Sequence, residues 1–463
     1  METVFVLITG LLFTTGIILA RILFFRLAED TLAMLNVILE TSLEDRAKQK
    51  LLIKNLRNLL GSLILLNIFI TCLIIISLLP LYSYLDFDLL KLKSFHWNSL
   101  SVLIAIAVGS SIPFLVFSFQ KQQSDYSDWS KLLHRMMLDN YNIAKALFSI
   151  EKKLFSKKTN PKNPYFVIVT GLARSGTSAL TTLLYQSKKF HSLNYGNMPF
   201  LLSPNCWNKI YKPINTRLKE RAHGDKVMFG YNTIEALEEF FFKTFLNDSF
   251  ILEKTLQEHE VDSNTYQNYL VYQNLLREKT DTMYLSKNNN FILRYKSLRT
   301  LNSEFKVVFL FRHPLYHAYS LFKQHQRFSS FHQKDPFTLE YMNWLGHHEF
   351  GLNLKHFEFT GSTFPTKYTP DSMNYWVMTW INYYTVILNL EDDKNRMLLH
   401  YEDFLEKPRQ TIDALSDFIK VKISNEHIAS FKNENTYEGE IDGAIEQQAM
   451  ALYAELLEKK VKV

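Results

Sequence analysis

YFVIVTGLARSGTSALTTLL, residues Tyr165–Leu184, holds a strand, a glycine-bounded loop and a helix start in that order. Tyr165 to Thr170 is a short β-rich apolar run, the pattern of a buried parallel strand. Gly171 opens a tight turn, and Ser175-Gly176-Thr177-Ser178 leads into Ala179–Leu184, apolar at helical spacing. Such a unit collects anions, because backbone N–H groups and the helix dipole converge on one point and hydroxyls add donors. Gly171, Gly176 and Ser178 fit the Walker spacing G-x-x-x-x-G-K-[ST], but Thr177 stands where the lysine belongs. That lysine reaches the β/γ-phosphates of a triphosphate, so its absence leaves the loop poorly equipped for ATP or GTP hydrolysis. The positive charge sits earlier, at Arg174. The expected ligand is a nucleotide with a single 5′-phosphoryl group.

Phe305–Phe322, FKVVFLFRHPLYHAYSLF, has a similar design. Lys306–Phe311 is again a buried-strand run. It ends in Arg312 and His313-Pro314, and a helix is expected from Leu315, with Ser320 on it. A guanidinium binds a phosphate through two charge-assisted bonds, and a serine hydroxyl adds another. The two segments together resemble sulfotransferases that use 3′-phosphoadenosine 5′-phosphosulfate (PAPS). The resemblance spans roughly residues 163–421. It implies a P-loop-type α/β fold, a parallel sheet flanked by helices, preceded here by an N-terminal helical transmembrane region. PAPS is then the co-substrate. Arg174, Ser175, Gly176, Thr177 and Ser178 would hold its 5′-phosphosulfate, and Arg312 and Ser320 its 3′-phosphate. Tyr284–Asn290, YLSKNNN, matches a third motif, in which Lys287 corresponds to the lysine that contacts the sulfuryl group and the bridging oxygen. In the cytosolic branch a histidine base follows two residues later. Here Asn289 occupies that place, and asparagine cannot take a proton. Met397–Leu405, MLLHYEDFL, resembles the late strand-loop-helix of the same fold, with Tyr401, Glu402 and Asp403 in structural roles.

The base must come from elsewhere. Glu220–Lys243 is the richest region, with His223, Asp225, Glu235, Glu238 and Glu239. Thr233 is suited to cap a helix in which the three glutamates share neighbouring faces. Glu235 and His223 are the two candidates for general base, and the sequence does not choose between them. Trp344–Glu349, WLGHHE, invites a metal reading, but adjacent histidines point apart and no His-x-x-x-His spacing is present. No metal is expected, and a substrate-side role or a structural loop is preferred there. Trp376, Trp380, Tyr383 and Tyr384 recur near helical spacing and read as core.

The 463 residues leave room for a membrane region at 1–122, an amphipathic linker helix at 123–160 and the catalytic domain at 161–463. Three apolar stretches, about 4–25, 59–81 and 100–119, each reach the roughly 20 residues that a spanning helix needs. The loop from Arg26 to Asn58 carries six Lys and Arg, and the loop from Tyr82 to Ser99 carries two. The positive-inside rule then puts the N-terminus outside and the catalytic domain in the cytosol. The linker ends in Lys152, Lys153, Lys157 and Lys158, suited either to an anionic leaflet or to solvent. Cys72 and Cys206 are the only cysteines and lie in different regions, which excludes a disulfide framework. A net charge of +6 suits membrane surfaces and phosphorylated ligands. No basic run interleaved with aromatics points to nucleic acid. The partners implied are the lipid bilayer and a hydroxyl-bearing acceptor, which proximity alone would make lipid, glycolipid or polysaccharide. Two rival readings stand beside this one. A P-loop kinase or nucleotide hydrolase lacks its lysine and leaves Arg312 and Ser320 unexplained. A non-catalytic membrane scaffold retaining the fold is supported only by Asn289.

Overall fold

The computed structural model describes residues 2–39, 44–85, 87–88, 99–118, 127–155, 165–211, 219–220, 228–230, 232–277, 282–361, 364, 367–391, 393–423 and 436–463. They form two compact units, Met1–Met136 and Met137–Val463.

The first unit is helical. Its first two helices, Glu2–Leu39 and Asp45–Tyr84, run well beyond the apolar stretches expected from sequence, because the polar flanks are good helix formers. Both are long and apolar enough to cross a membrane. Much of their apolar surface faces outward, as at Ile22, Ile64, Ile68 and Ile75. The third expected span folds as the helix Leu100–Ser118, whose apolar part Leu100–Pro113 is shorter. Close approach between helices uses a small residue: a side chain at Gly109 would meet the Leu7 carbonyl at 2.4 Å. Trp129 stacks its edge on Phe25, with ring centres 5.0 Å apart.

The expected linker helix is two helices, Asp128–Leu138 and Tyr141–Phe155, broken at Asp139-Asn140. Asp139 leaves the helix to accept a 3.1 Å bond from the Trp344 indole N–H. Tyr141–Phe155 is not a solvated spacer. It buries Ile143, Ala144, Phe148 and Glu151. The Glu151 carboxylate accepts the backbone N–H groups of Asn205 at 2.8 Å and Cys206 at 2.9 Å, at the start of the helix Pro204–Ile210.

The second unit carries nine strands among the described residues: β1 Phe166–Thr170, β2 Phe190–His191, β3 Lys219–Glu220, β4 Met228–Phe229, β5 Thr255–Gln257, β6 Met283–Lys287, β7 Lys306–Phe311, β8 His356–Glu358 and β9 Arg396–His400. Five of them form a parallel sheet in the order β2-β6-β1-β7-β9. β1 is buried along its whole length, which is why it is apolar at every position. Helices flank the sheet, as the sequence implies. Thr177–Gln186 and Pro408–Ile419 bury Leu180, Leu184, Ile412 and Leu415 in one core with Val167, Val169 and Leu399. Trp376, Trp380, Tyr383 and Tyr384 are buried on the helix Met373–Leu388. Two of these core tyrosines also steady strand ends. Tyr384 donates to the Leu310 carbonyl at 2.7 Å and Tyr383 to the Asn289 carbonyl at 3.2 Å.

The register sets Val169 of β1 beside Lys287 of β6 on one side and Val308 of β7 on the other. The loop after β1, Lys287 and Arg312 therefore share the carboxyl edge of the sheet, where open α/β sheets bind ligands.

Candidate active site at the carboxyl edge of the sheet

The loop after β1 is tightly wrapped. Gly176 sits at φ +97° and a side chain there would meet the Tyr401 ring at 2.3 Å, so the position admits only glycine. Arg174 adopts φ +70°, a left-handed conformation uncommon outside glycine. Gly176 starts the helix Thr177–Gln186 without a side-chain cap, which leaves its first N–H groups to whatever lies in front. Ser175 contributes a buried hydroxyl with no hydrogen-bond partner among the described residues. An orphaned donor beside an uncapped helix start fits a phosphate or sulfate group.

Arg312, Arg174 and Ser320 meet beside this loop. Arg312 Nη1 donates to the Arg174 carbonyl at 3.2 Å, and its guanidinium faces the Tyr401 ring at 4.8 Å. Arg174 Nε donates to Ser320 Oγ at 3.3 Å. The sequence assigned Arg174 and Ser320 to different phosphates, whereas the fold makes them neighbours. Beneath them, the fully buried His317 donates from Nε2 to the Ala173 carbonyl at 2.7 Å. Burial, with the Arg312 charge, pushes its pKa down to about 3, so it stays neutral and keeps that donor. Glu402 accepts the His313 backbone N–H at 3.2 Å and pairs with His400 at 2.9 Å, so it braces the segment carrying Arg312.

Lys287 ends β6 and makes an ion pair with Glu235. The three glutamates of EALEE do not share one helix as the sequence suggests. Ile234 bridges Asn194 across a short antiparallel contact, and the helix begins only at Glu239. Thr233 accepts from the Gly230 N–H at 2.9 Å instead of capping a helix. The carboxylates consequently diverge. Glu238 accepts from Tyr269 and Tyr284 at 2.7 and 2.6 Å and from Asn288 at 3.1 Å, and burial raises its pKa. Glu239 forms a two-pronged pair with the buried Arg294 at 2.7 and 2.6 Å. Burial raises the Glu239 pKa, but Arg294 outweighs it and the net direction is down. Of the two candidate bases, Glu235 lies beside Lys287, and His223 lies outside the described residues.

The WLGHHE segment, weighed in the sequence as a substrate-side or structural loop, stands next to Lys287. Asn289 donates to Glu349 Oε1 at 3.1 Å, and His347 Nδ1 lies 3.3 Å from the same oxygen. Burial raises the Glu349 pKa, but His347 and the hydrogen bonds outweigh it and hold it at about 2. Burial lowers His347, but Glu349 and Glu235 outweigh it and the net direction is up. The neighbouring His348 turns away to the Asn353 carbonyl at 3.1 Å, as adjacent residues must. Only the separation of the two histidines was legible in WLGHHE; its proximity to Lys287 was not.

The sequence model of the sulfotransferase domain family matches residues 164–439, more than half of the chain. No curated protein matches. Among solved structures, a sulfotransferase of Mycobacterium tuberculosis is 13% identical, with a TM-score of 0.39, covering 74% of this chain and 86% of that one. One of Mycobacterium avium is 14% identical, with a TM-score of 0.36, covering 77% and 82%. One of Alicyclobacillus acidocaldarius is 13% identical, with a TM-score of 0.31, covering 64% and 94%.

Proposed function

The chain belongs to the sulfotransferase domain family, and from that premise we propose that it moves a sulfuryl group from PAPS to a hydroxyl of its acceptor. The observation that carries the reading is the meeting of Arg174, Arg312 and Ser320 beside a loop with an orphaned buried serine hydroxyl. Two guanidiniums there are more positive charge than one phosphate needs, and a nucleotide phosphorylated at both 5′ and 3′ uses both. Arg174 to Ser178 and the helix start receive the 5′-phosphosulfate, and Arg312 and Ser320 receive the 3′-phosphate. Lys287 faces the bridging oxygen and stabilises the charge that gathers on it as the S–O bond breaks. Glu235 holds the Lys287 ammonium in place. It is also the sequence's candidate base on the acceptor side. The two long apolar helices anchor the protein in a membrane. With the helix Leu100–Ser118 crossing as a third span, the positive charges between Arg26 and Asn58 favour the cytosolic side for the catalytic unit.

Calorimetric titration of the full chain in detergent micelles with 3′,5′-ADP, ADP and AMP tests the reading. Tight binding that requires the 3′-phosphate and falls about 30- to 100-fold in Arg312→Ala supports it, since a charge-assisted pair to phosphate contributes about 2–3 kcal/mol. Equal binding of ADP, indifferent to Arg312, overturns it.

A further inference from the structure

Sulfuryl transfer needs a group to take the acceptor's proton, and the geometry around Lys287 supplies one that the sequence did not name as a base. Glu235 is already engaged with the Lys287 ammonium. His347 stands nearby on the loop that follows the helix Pro336–Leu345, oriented through Nδ1 by Glu349. Glu349 is in turn held by Asn289, two residues after Lys287. The loop itself is pinned where Asn290 Nδ2 donates to the Gly346 carbonyl at 3.1 Å. An imidazole whose Nδ1–H donates to a carboxylate keeps Nε2 as a proton acceptor.

We propose that His347 takes the acceptor's hydroxyl proton, with Glu349 and Asn289 as its positioning residues; this rests on the sulfotransferase reading. Asn289 stands where a histidine base would follow the lysine. Here residue 289 supports a base that the chain supplies 58 positions later, at 347. The step balances. The acceptor oxygen forms a bond to the sulfuryl sulfur, and the bond from sulfur to the bridging phosphate oxygen breaks. Its electron pair stays on that oxygen, facing Lys287, and the hydroxyl proton goes to His347 Nε2. The products are a sulfate ester and 3′,5′-ADP, and the imidazolium then returns its proton to solvent.

The charged groups facing His347 are Glu349, Glu235 and Lys287. Behind Gly346 lie Glu239, neutralised by Arg294, and Lys243. Neutral imidazole is the active form, so turnover rises with pH through the His347 pKa. Removing the Glu349 charge destabilises the imidazolium and moves that limb to lower pH.

The test uses the full chain in micelles, with sulfate release from PAPS to water and transfer to 2-naphthol as probe reactions. His347→Asn is expected to leave 3′,5′-ADP affinity within about twofold, to cut turnover about 100-fold and to abolish the acid limb. Glu349→Gln is expected to lower turnover about tenfold and to shift the limb down by about one pH unit. A readout independent of turnover is carbethoxylation of the His347 peptide across pH, followed by mass spectrometry. Its midpoint should lie above the ordinary 6.5 and fall in Glu349→Gln. His347→Asn with wild-type turnover and an intact limb overturns the proposal. So does a carbethoxylation midpoint at or below 6.5 that Glu349→Gln does not move. Loss of 3′,5′-ADP binding by the unmutated chain instead sinks the sulfotransferase reading itself.

Discussion

Around Arg312, the contacts join two segments that are each continuous in sequence. Gly171–Ser178 supplies the loop, and Arg312–Ser320 supplies the guanidinium, the imidazole beneath it and the hydroxyl. Around Lys287, the partners are scattered. Glu235 lies 52 residues before it, and the Asn289–Glu349 bond spans 60 residues. The first region is made from backbone shape and helix starts, which local sequence encodes. The second is made from charges that burial forces to find partners. The two regions should therefore fail in different ways when changed.

The largest effect is expected where a buried charge loses its partner. Arg294→Met leaves Glu239 ionisable and unpaired, which costs about 3–5 kcal/mol and should appear as a large fall in thermal midpoint. Adding Glu239→Gln should recover part of it, and no recovery would mean that Arg294 acts through its stacking on Phe242, 4.1 Å away, rather than through the pair.

Acid should loosen the Arg312 region next. His317 has its pKa depressed to about 3 by burial, so the folded state binds fewer protons than the unfolded state. Its contribution is complete above pH 6.5 and is lost as pH falls from 6.5 towards 3. That amounts to about 2 kcal/mol at pH 5. His348, depressed by burial to about 3, adds to the same slope from the other region. Thermal midpoints measured from pH 7.5 to 5 should fall, and His317→Gln should flatten the fall while keeping a donor for Ala173. An unchanged slope would remove His317 from the account.

A third change separates loop shape from loop charge. Gly176→Ala forces an L-residue into a left-handed conformation, at about 1–2 kcal/mol, and pushes on Tyr401. Affinity for 3′,5′-ADP should drop about tenfold, with little change in the pH dependence of turnover. The smallest effect is expected at Asn289→Ala. Losing one bond to Glu349 costs about 1 kcal/mol of stability and should lower turnover without weakening nucleotide binding.

Much of the Arg312 region was legible in advance. The strand ending at Thr170 and the glycine-bounded loop were read from apolar periodicity and motif spacing, Arg312 and Ser320 were singled out by the family resemblance, and the fold sets them at one sheet edge. Less was legible around Lys287. Glu235 was named, but in a helix that does not form there, because Ile234 is drawn into a bridge with Asn194. His347 was weighed as part of a loop, since nothing within WLGHHE reports that Asn289 will reach it through Glu349. The linker helix was read as one because its apolar spacing continues across Asp139, and only the Trp344 indole reveals why the chain breaks there.

By itself, the sequence determined the strand-loop-helix units, their appetite for anions, the missing Walker lysine and the long apolar helices. All of these are short-range: hydrophobic period, turn residues and backbone polarity act within about 20 residues. Tertiary structure alone decided which of three neighbouring glutamates meets Lys287, which arginine neutralises Glu239, and that His347 comes close to Lys287 and Glu235. Those pairings join segments some 50–60 residues apart. They form because packing removes water from charges that must then find one another.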